Sequence, residues 1–349
     1  MKKVCIITLY GNSNFGNKLQ NYALQEYIKK LGDFEVETIR EHNTDVVTVL
    51  KRCVKNILEK EIDERTKCFL DFNKYINYSK KIYSRQNPRK LDNYDYYIVG
   101  SDQVWNPEFS GLSKLDLLSF TDSPNKISYA ASFGVSSVDS KYKDTICNNI
   151  SKFKMISVRE DAAADILLDS NVLNDIDVVI DPTMLLSASE WEKVMKKPKN
   201  FKSKKYILNY FLGKLSDEKM SEINRIASEN DCEVINILDP ESPFYNCGPS
   251  EFLYLEKNAF LICTDSFHSS VFAILFNRPF IIFSRDDKIG SMNSRIETLL
   301  NTFKIEDRKF EGIIYPKNLN HNYDLAYSIL SEKIEFSKKF LMEALDIRK

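Results

Sequence analysis

A chain of 349 residues exceeds what one hydrophobic core usually organises, so two domains are expected. Its 43% hydrophobic and 28% charged residues suit a globular protein and argue against disorder as the main state. A formal net charge of −1 argues against a dedicated nucleic-acid binder, whose affinity comes from neutralising many phosphates.

Residues 3–9 form a continuous apolar run, as expected of a parallel strand buried on both faces. The loop YGNSNFGN (10–17) follows, and Leu19, Tyr22, Ala23, Tyr27 and Ile28 give 18–31 helical periodicity. A second strand is expected at 34–40, then two helical patterns and a basic tail over 44–90. Strands at 94–99, 126–133, 153–158 and 178–180 alternate with helices at 139–152 and 160–169. The pattern restarts after Trp191 and a lysine-rich stretch: strands at 206–212, 233–238, 259–263 and 280–283, with helices at 215–230 and 267–276 and a short one between. Residues 323–347 read as a last amphipathic helix, able to pack back on the first domain. Strand alternating with helix predicts doubly wound parallel sheets. The chain divides into domains at 1–188 and 189–322, with 323–349 as the terminal helix. The fold class is α/β, two Rossmann-like domains in a glycosyltransferase-B-like arrangement, with ligands at the carboxyl ends of the strands.

Seven cysteines (5, 53, 68, 147, 232, 247, 263) are dispersed without a CxxC pair, which reads as reduced thiols. They offer no metal site at the usual ligand spacing, and no metal or cofactor is expected. The basic start Met1-Lys2-Lys3 and its short apolar run meet a Gly/Asn-rich loop, not a cleavage site, so a first strand is expected and not a signal peptide. No apolar stretch approaches the roughly 20 residues that cross a bilayer. The expectation is a cytoplasmic protein.

CTDSFHSSVFAILFNRP (263–279) carries the most chemistry. A buried strand ends at Cys263, a polar turn follows, and His268 sits in the first turn of the next helix. Amide groups there, with the hydroxyls of Ser266, Ser269 and Ser270 and the helix dipole, suit an anion. A histidine beside a bound phosphate can give or take a proton. The plain alternative is an N-cap followed by a surface histidine. In GSDQVWN (100–106), Ser101, Asp102, Gln103 and Asn106 supply hydroxyl-binding groups and Trp105 a flat face for a sugar ring. Asp102 serves either as general base for a sugar hydroxyl or as a turn cap. Asn14, Asn17 and Gln20 are candidate polar contacts of a cleft-lining loop, the alternative being a turn that caps the first helix. YGNSNFGN is not GxGxxG, so the dinucleotide fingerprint is absent. SVRE (157–160) projects Arg159 from a strand's carboxyl end, and Arg295 of MNSR (292–295) is a further cation. Arg159 could instead be a surface arginine paired with Glu160 or a neighbouring acid, and Arg295 could instead face solvent. The segment 51–90 holds twelve Lys/Arg against five Asp/Glu, with Phe69, Phe72 and Tyr75 at helical spacing. The rings read as a core stripe and the charges as a solvated face, with anionic membrane or lipid diphosphate contact as the alternative.

These segments, with DPTMLL at 181–186 and the opening YGNSNFGNKLQNYAL, resemble the polysaccharide pyruvyl transferase family in order and spacing over roughly residues 1–300. The resemblance implies phosphoenolpyruvate as donor and a pyruvate ketal on a sugar of a surface polysaccharide or its lipid-linked precursor. It implies that Arg159 and His268 hold the donor, with Ser266, Ser269, Ser270 and Arg295 beside it, the two main residues facing one cleft. Asn14, Asn17, Gln20, Ser101, Gln103, Trp105 and Asn106 then fall on the acceptor side, with Asp102 catalytic. Expected partners are phosphoenolpyruvate and a sugar or lipid-linked oligosaccharide, no nucleic acid, and a candidate peripheral contact at the membrane's inner face. The rivals are a nucleotide-sugar glycosyltransferase of the same fold, for which no ribose-binding acid stands out near 263–284, and a non-catalytic sugar-binding relative.

Overall fold

The computed structural model describes residues 1–9, 11, 13–42, 62–89, 91, 93–284 and 294–347. The part of the expected 44–90 pattern up to residue 61, Tyr10, Asn12, Cys53, Met292 and Asn293 lie outside the described residues. Two compact units form: Met1–Leu185 with Lys333–Lys349, and Leu186–Glu332.

Unit 1 runs β1 (Lys2–Ile7), α1 (Phe15–Leu31), β2 (Phe34–His42), α2 (Glu64–Asp71), β3 (Tyr78–Ser84), β4 (Tyr96–Val99), α3 (Pro107–Ser110), β5 (Lys126–Ala131), α4 (Lys143–Ile150), β6 (Met155–Val158), α5 (Asp161–Asp169) and β7 (Ile176–Val178). All seven strands pair in parallel, in the order β3-β2-β1-β4-β5-β6-β7. Every residue of β4 and β5 is buried, which explains the unbroken apolar run of β4 (YYIV). Helix α1 starts where Asn14 accepts a hydrogen bond from the Asn17 amide at 3.3 Å. Lys29 and Lys30 in its last turn complement the dipole.

The basic tail expected before residue 90 is in fact strand β3. Its YSKKIYS sequence is long and polar because, among the described residues, the strand lies at the sheet edge, paired only with β2 and exposing Lys80 and Lys81. The aromatic stripe before it is core, as expected: Phe69 stacks on Phe15 at 4.9 Å, and Tyr22 packs against Phe72 and Tyr75.

Unit 2 runs α6 (Ala188–Glu192), β8 (Tyr206–Tyr210), α7 (Asp217–Glu229), β9 (Glu233–Asn236), α8 (Pro249–Asn258), β10 (Leu261–Thr264), α9 (Phe267–Leu275), β11 (Phe280–Ile282), α10 (Ser294–Phe303) and α11 (Pro316–Leu319). Its four strands are parallel, in the order β11-β10-β8-β9. The last helix, α12 (Asp324–Ala344), ends on unit 1. There Phe340 packs on the Tyr129 ring, Ser337 accepts the Ile180 amide at 3.3 Å, and Lys154 donates to the Ala344 carbonyl at 3.1 Å.

Both strand orders reverse direction once. In unit 1 the chain winds outward from β1 to β3, then returns to place β4 on the other side of β1. In unit 2 β8 is flanked by β9 on one side and β10 on the other. At such a reversal the two following loops run apart and leave a crevice at the strands' carboxyl ends. Those loops are the described residues of 8–14 and 100–106 in unit 1, and 211–216 and 265–266 in unit 2. If the docked end of α12 belongs to the core of unit 1, Phe340→Ala should cost about 3–5 kcal/mol in urea unfolding. A loss below about 1 kcal/mol would show the helix end to be a loose appendage.

Candidate functional site

At the unit 1 reversal the loop after β4 is held by the loop after β1. Thr8 donates to the Ser101 carbonyl at 2.8 Å, and Gln20 donates to the Thr8 hydroxyl at 2.8 Å and to the Asn17 carbonyl at 3.1 Å. Asn17 donates through Nδ2 to Asp102 Oδ2 at 2.6 Å, while Asp102 Oδ1 accepts the Gln103 amide at 2.9 Å. Asp102 sits at φ 75°, a left-handed conformation that aspartate adopts more readily than most non-glycine residues. Its backbone bridges to Ala131, the last residue of β5. Gln103 accepts from Asn106 at 2.9 Å, and Asn106 caps α3 by accepting the Glu108 amide at 3.0 Å. Gly134, at φ 67°, lies so close to Gln103 that a Cβ would overlap that side chain.

Arg159 closes the cluster from the end of β6. Its side chain is 1% exposed and donates to Asp181 at 2.9 Å and Ser101 at 3.3 Å, with Glu160 at 3.7 Å and Asp102 at 3.8 Å. Burial pulls its pKa down, but Asp181, Glu160 and Asp102 outweigh burial and raise it above the ordinary value. Glu160 in turn accepts the Ser132 hydroxyl at 2.6 Å. Three carboxylates thus surround one guanidinium. In this arrangement Arg159 is a partner of carboxylates.

Trp105 is corrected. It is fully buried, donates to the Asp116 carbonyl at 2.9 Å and packs on Phe133 and Phe153. The indole is a core residue and offers no face to a sugar. Gln20, also fully buried, holds the loop together, and the half-buried Asn14 and Asn17 form the accessible edge of the cluster.

At the unit 2 reversal Asp265 clasps the loop after β8. Its two carboxylate oxygens accept the Leu212 and Gly213 amides, each at 2.7 Å. Thr264 donates to the Tyr210 carbonyl at 2.6 Å and accepts the Ser266 amide at 3.0 Å. Ser266 is the N-cap residue of α9, and its side chain makes no cap hydrogen bond. His268 lies in the first turn, 7% exposed, with Phe267 edge-on to its ring at 5.3 Å. The hydroxyls of Ser269 and Ser270 point elsewhere. Ser269 donates to Glu256 Oε1 at 2.6 Å, and Ser270 donates back to the Ser266 carbonyl at 3.0 Å. The expected pair of phosphate-binding serine hydroxyls is therefore engaged internally. Arg295 is buried in the first turn of α10.

Residues 14–287 match the polysaccharide pyruvyl transferase family. The chain belongs to that family. Its fold is glycosyltransferase-B-like. A UDP-N-acetylglucosamine 2-epimerase-like protein of Listeria monocytogenes matches with a TM-score of 0.51 at 11% identity, over 98% of this chain and 91% of that one. The S. aureus MnaA–UDP structure matches at 0.50 and 13%, over 97% and 91%. At such identity the likeness is one of fold. No curated protein matches this chain by sequence.

In this transferase-family chain, Asp181, Ser132 and Gly134 complete the unit 1 cluster without having been singled out. Asp181 opens the DPTMLL segment that carries part of the family resemblance; the other two carried no sequence signal. Glu256 was also missed. It is fully buried on α8, and its Oε2 has no hydrogen-bond partner among the described residues. Burial pushes its pKa well above the usual 4.5, with the Ser269 hydroxyl pulling modestly the other way. Such a carboxyl keeps its proton in the folded state but loses it in the unfolded chain. Its contribution to stability is fully present below about pH 4.5 and is lost as pH rises towards the folded pKa. Glu256→Gln should therefore gain stability relative to the parent as pH rises from 4.5 to 8. Parallel stability–pH curves for the two proteins would mean that Glu256 is ionised in the fold.

Proposed function

We propose that this protein transfers the pyruvyl group of phosphoenolpyruvate to two hydroxyls of a sugar in a surface polysaccharide or its lipid-linked precursor, forming a pyruvate ketal. One observation carries the reading: a chain of this family places a histidine in a helix first turn at one reversal and an acid-rich, hydroxyl-suited cluster at the other. The helix start, with its amides and positive dipole end, suits the phosphate of the donor. The unit 1 cluster, with Asp102, Glu160 and Asp181 around Arg159, repels an anion but accepts hydrogen bonds from hydroxyls. The donor is assigned to unit 2 and the acceptor to unit 1.

In this reading His268 delivers a proton to C3 of the donor, which leaves C2 electron-poor. A sugar hydroxyl oxygen attacks C2, and Asp102 accepts its proton. The C2–O bond to phosphate breaks, and the second hydroxyl closes the ketal. Of the two hydroxyl protons released, one replaces that given by His268 and the other leaves with phosphate. Asn17 holds Asp102 by one oxygen, and Arg159 fixes the cluster's charge and geometry. A lipid-linked acceptor would bring the protein to the inner face of a membrane.

Phosphoenolpyruvate should raise the thermal unfolding midpoint, as any ligand of the folded state does, whereas UDP-sugars should leave it unchanged. The reverse pattern would support a nucleotide-sugar glycosyltransferase. His268→Ala should lower turnover by about a hundred- to ten-thousand-fold, the usual worth of general acid catalysis. His268→Gln keeps a hydrogen-bond donor but cannot titrate, so phosphoenolpyruvate should still shift the midpoint while turnover fails. Near-parental turnover in the Gln variant would remove His268 from the proton step.

A further inference from the structure

The segment 193–205 holds seven lysines and no acidic residue in thirteen positions. It has no helix or strand and runs along one side of unit 2 beside α8. The Lys196 amide donates to the Ser250 carbonyl at 3.0 Å in the first turn of α8, and its ammonium meets Glu251 at 3.2 Å. Near the other end of that helix Lys257 pairs with Glu192 at 2.6 Å. Between them the Phe201 ring is pinned by Tyr206, Phe244 and Tyr254, so the backbone of the segment is anchored while its lysines project outward. Lys205 donates to the Asn230 carbonyl at 2.5 Å and covers the Phe260 ring. Lys193, Lys199, Lys202 and Lys204 are exposed and form no ion pair with any described carboxylate.

The contrast with the other basic stretch decides between them. Among described residues of 62–89, Lys67 pairs with Glu64 at 2.7 Å and Lys74 with Asp71 at 3.1 Å. Arg85 is buried between Glu41 and Asp116, and Arg65 lies over the rings of Phe15 and Phe69. That stretch neutralises much of its own charge. The segment 193–205 does not.

We propose that the lysines of 193–205 form a docking surface for an anionic lipid bilayer. A cluster of four to eight lysines displayed together is the composition that anionic lipid headgroups attract. No aromatic ring of the segment is left outward to stack on nucleic-acid bases, because Phe201 is packed inward. The choice of a bilayer rests on the reading above that the acceptor is lipid-linked: an enzyme acting on such a substrate gains from being held at the surface that carries it.

The test is co-sedimentation of the full chain with vesicles of phosphatidylcholine alone, or of phosphatidylcholine mixed with phosphatidylglycerol. The protein should pellet only with the anionic vesicles, and less as salt is raised towards physiological strength. The triple variant Lys199→Ser, Lys202→Ser, Lys204→Ser should lose on the order of a hundredfold in affinity, at about fivefold per lysine. All three side chains are exposed, so its thermal midpoint and the shift produced by phosphoenolpyruvate should match the parent. Equal binding to neutral vesicles, unchanged binding by the variant, or equally tight capture by a single-stranded RNA homopolymer would overturn the proposal. Loss of the phosphoenolpyruvate shift in the parent, with vesicle binding intact, would count against the catalytic reading and leave the surface standing.

Discussion

The reversal of winding within each parallel sheet is the constraint on which the rest depends. A parallel sheet must cover both faces with helices, and where the strand order turns back, two neighbouring loops part at the carboxyl ends. Each unit fills that gap with an aspartate that ties one loop to the other. Asp102 is held by Asn17 across the β1 and β4 loops, and Asp265 holds Leu212 and Gly213 across the β10 and β8 loops. The same geometry that creates a crevice thus needs a polar clasp to keep its rim in place.

The two clasps differ in what surrounds them. In unit 1 the aspartate belongs to a dense buried network in which Arg159 is shared among three carboxylates. Removing one partner from such a network leaves a charge stranded away from water, which is far costlier than losing an exposed pair. In unit 2 the clasp leaves the start of α9 bearing His268, while Ser269 and Ser270 are turned into the unit. One crevice is acidic and the other ends in a helix amino terminus. That division of charge is what supports the proposal of a hydroxyl-bearing substrate at one and an anionic substrate at the other.

Most elements were legible because buried parallel strands are continuous apolar runs: Val4 to Ile7, Tyr96 to Val99 and Leu261 to Thr264 have no polar alternation to confuse them. Strand β3 was not legible, since an edge strand carries Lys80 and Lys81 outward and reads like a polar tail. The site was legible in its residues more than in their roles. A tryptophan in a polar loop suggests a sugar platform, yet Trp105 turns inward because Phe133 and Phe153, distant in sequence, offer it a core. The Ser269 hydroxyl was equally deceptive, its partner Glu256 lying on the preceding helix, to which no local pattern joins it. Long-range contacts decide such cases, and a single sequence does not display them.

The most direct test of the account is a crystal structure of the full chain with phosphoenolpyruvate bound. The account predicts the phosphate within hydrogen-bond distance of the first-turn amides of α9 and the His268 ring beside C3 of the donor. Phosphoenolpyruvate seated instead in the carboxylate cluster of unit 1, with the α9 start unoccupied, would contradict it.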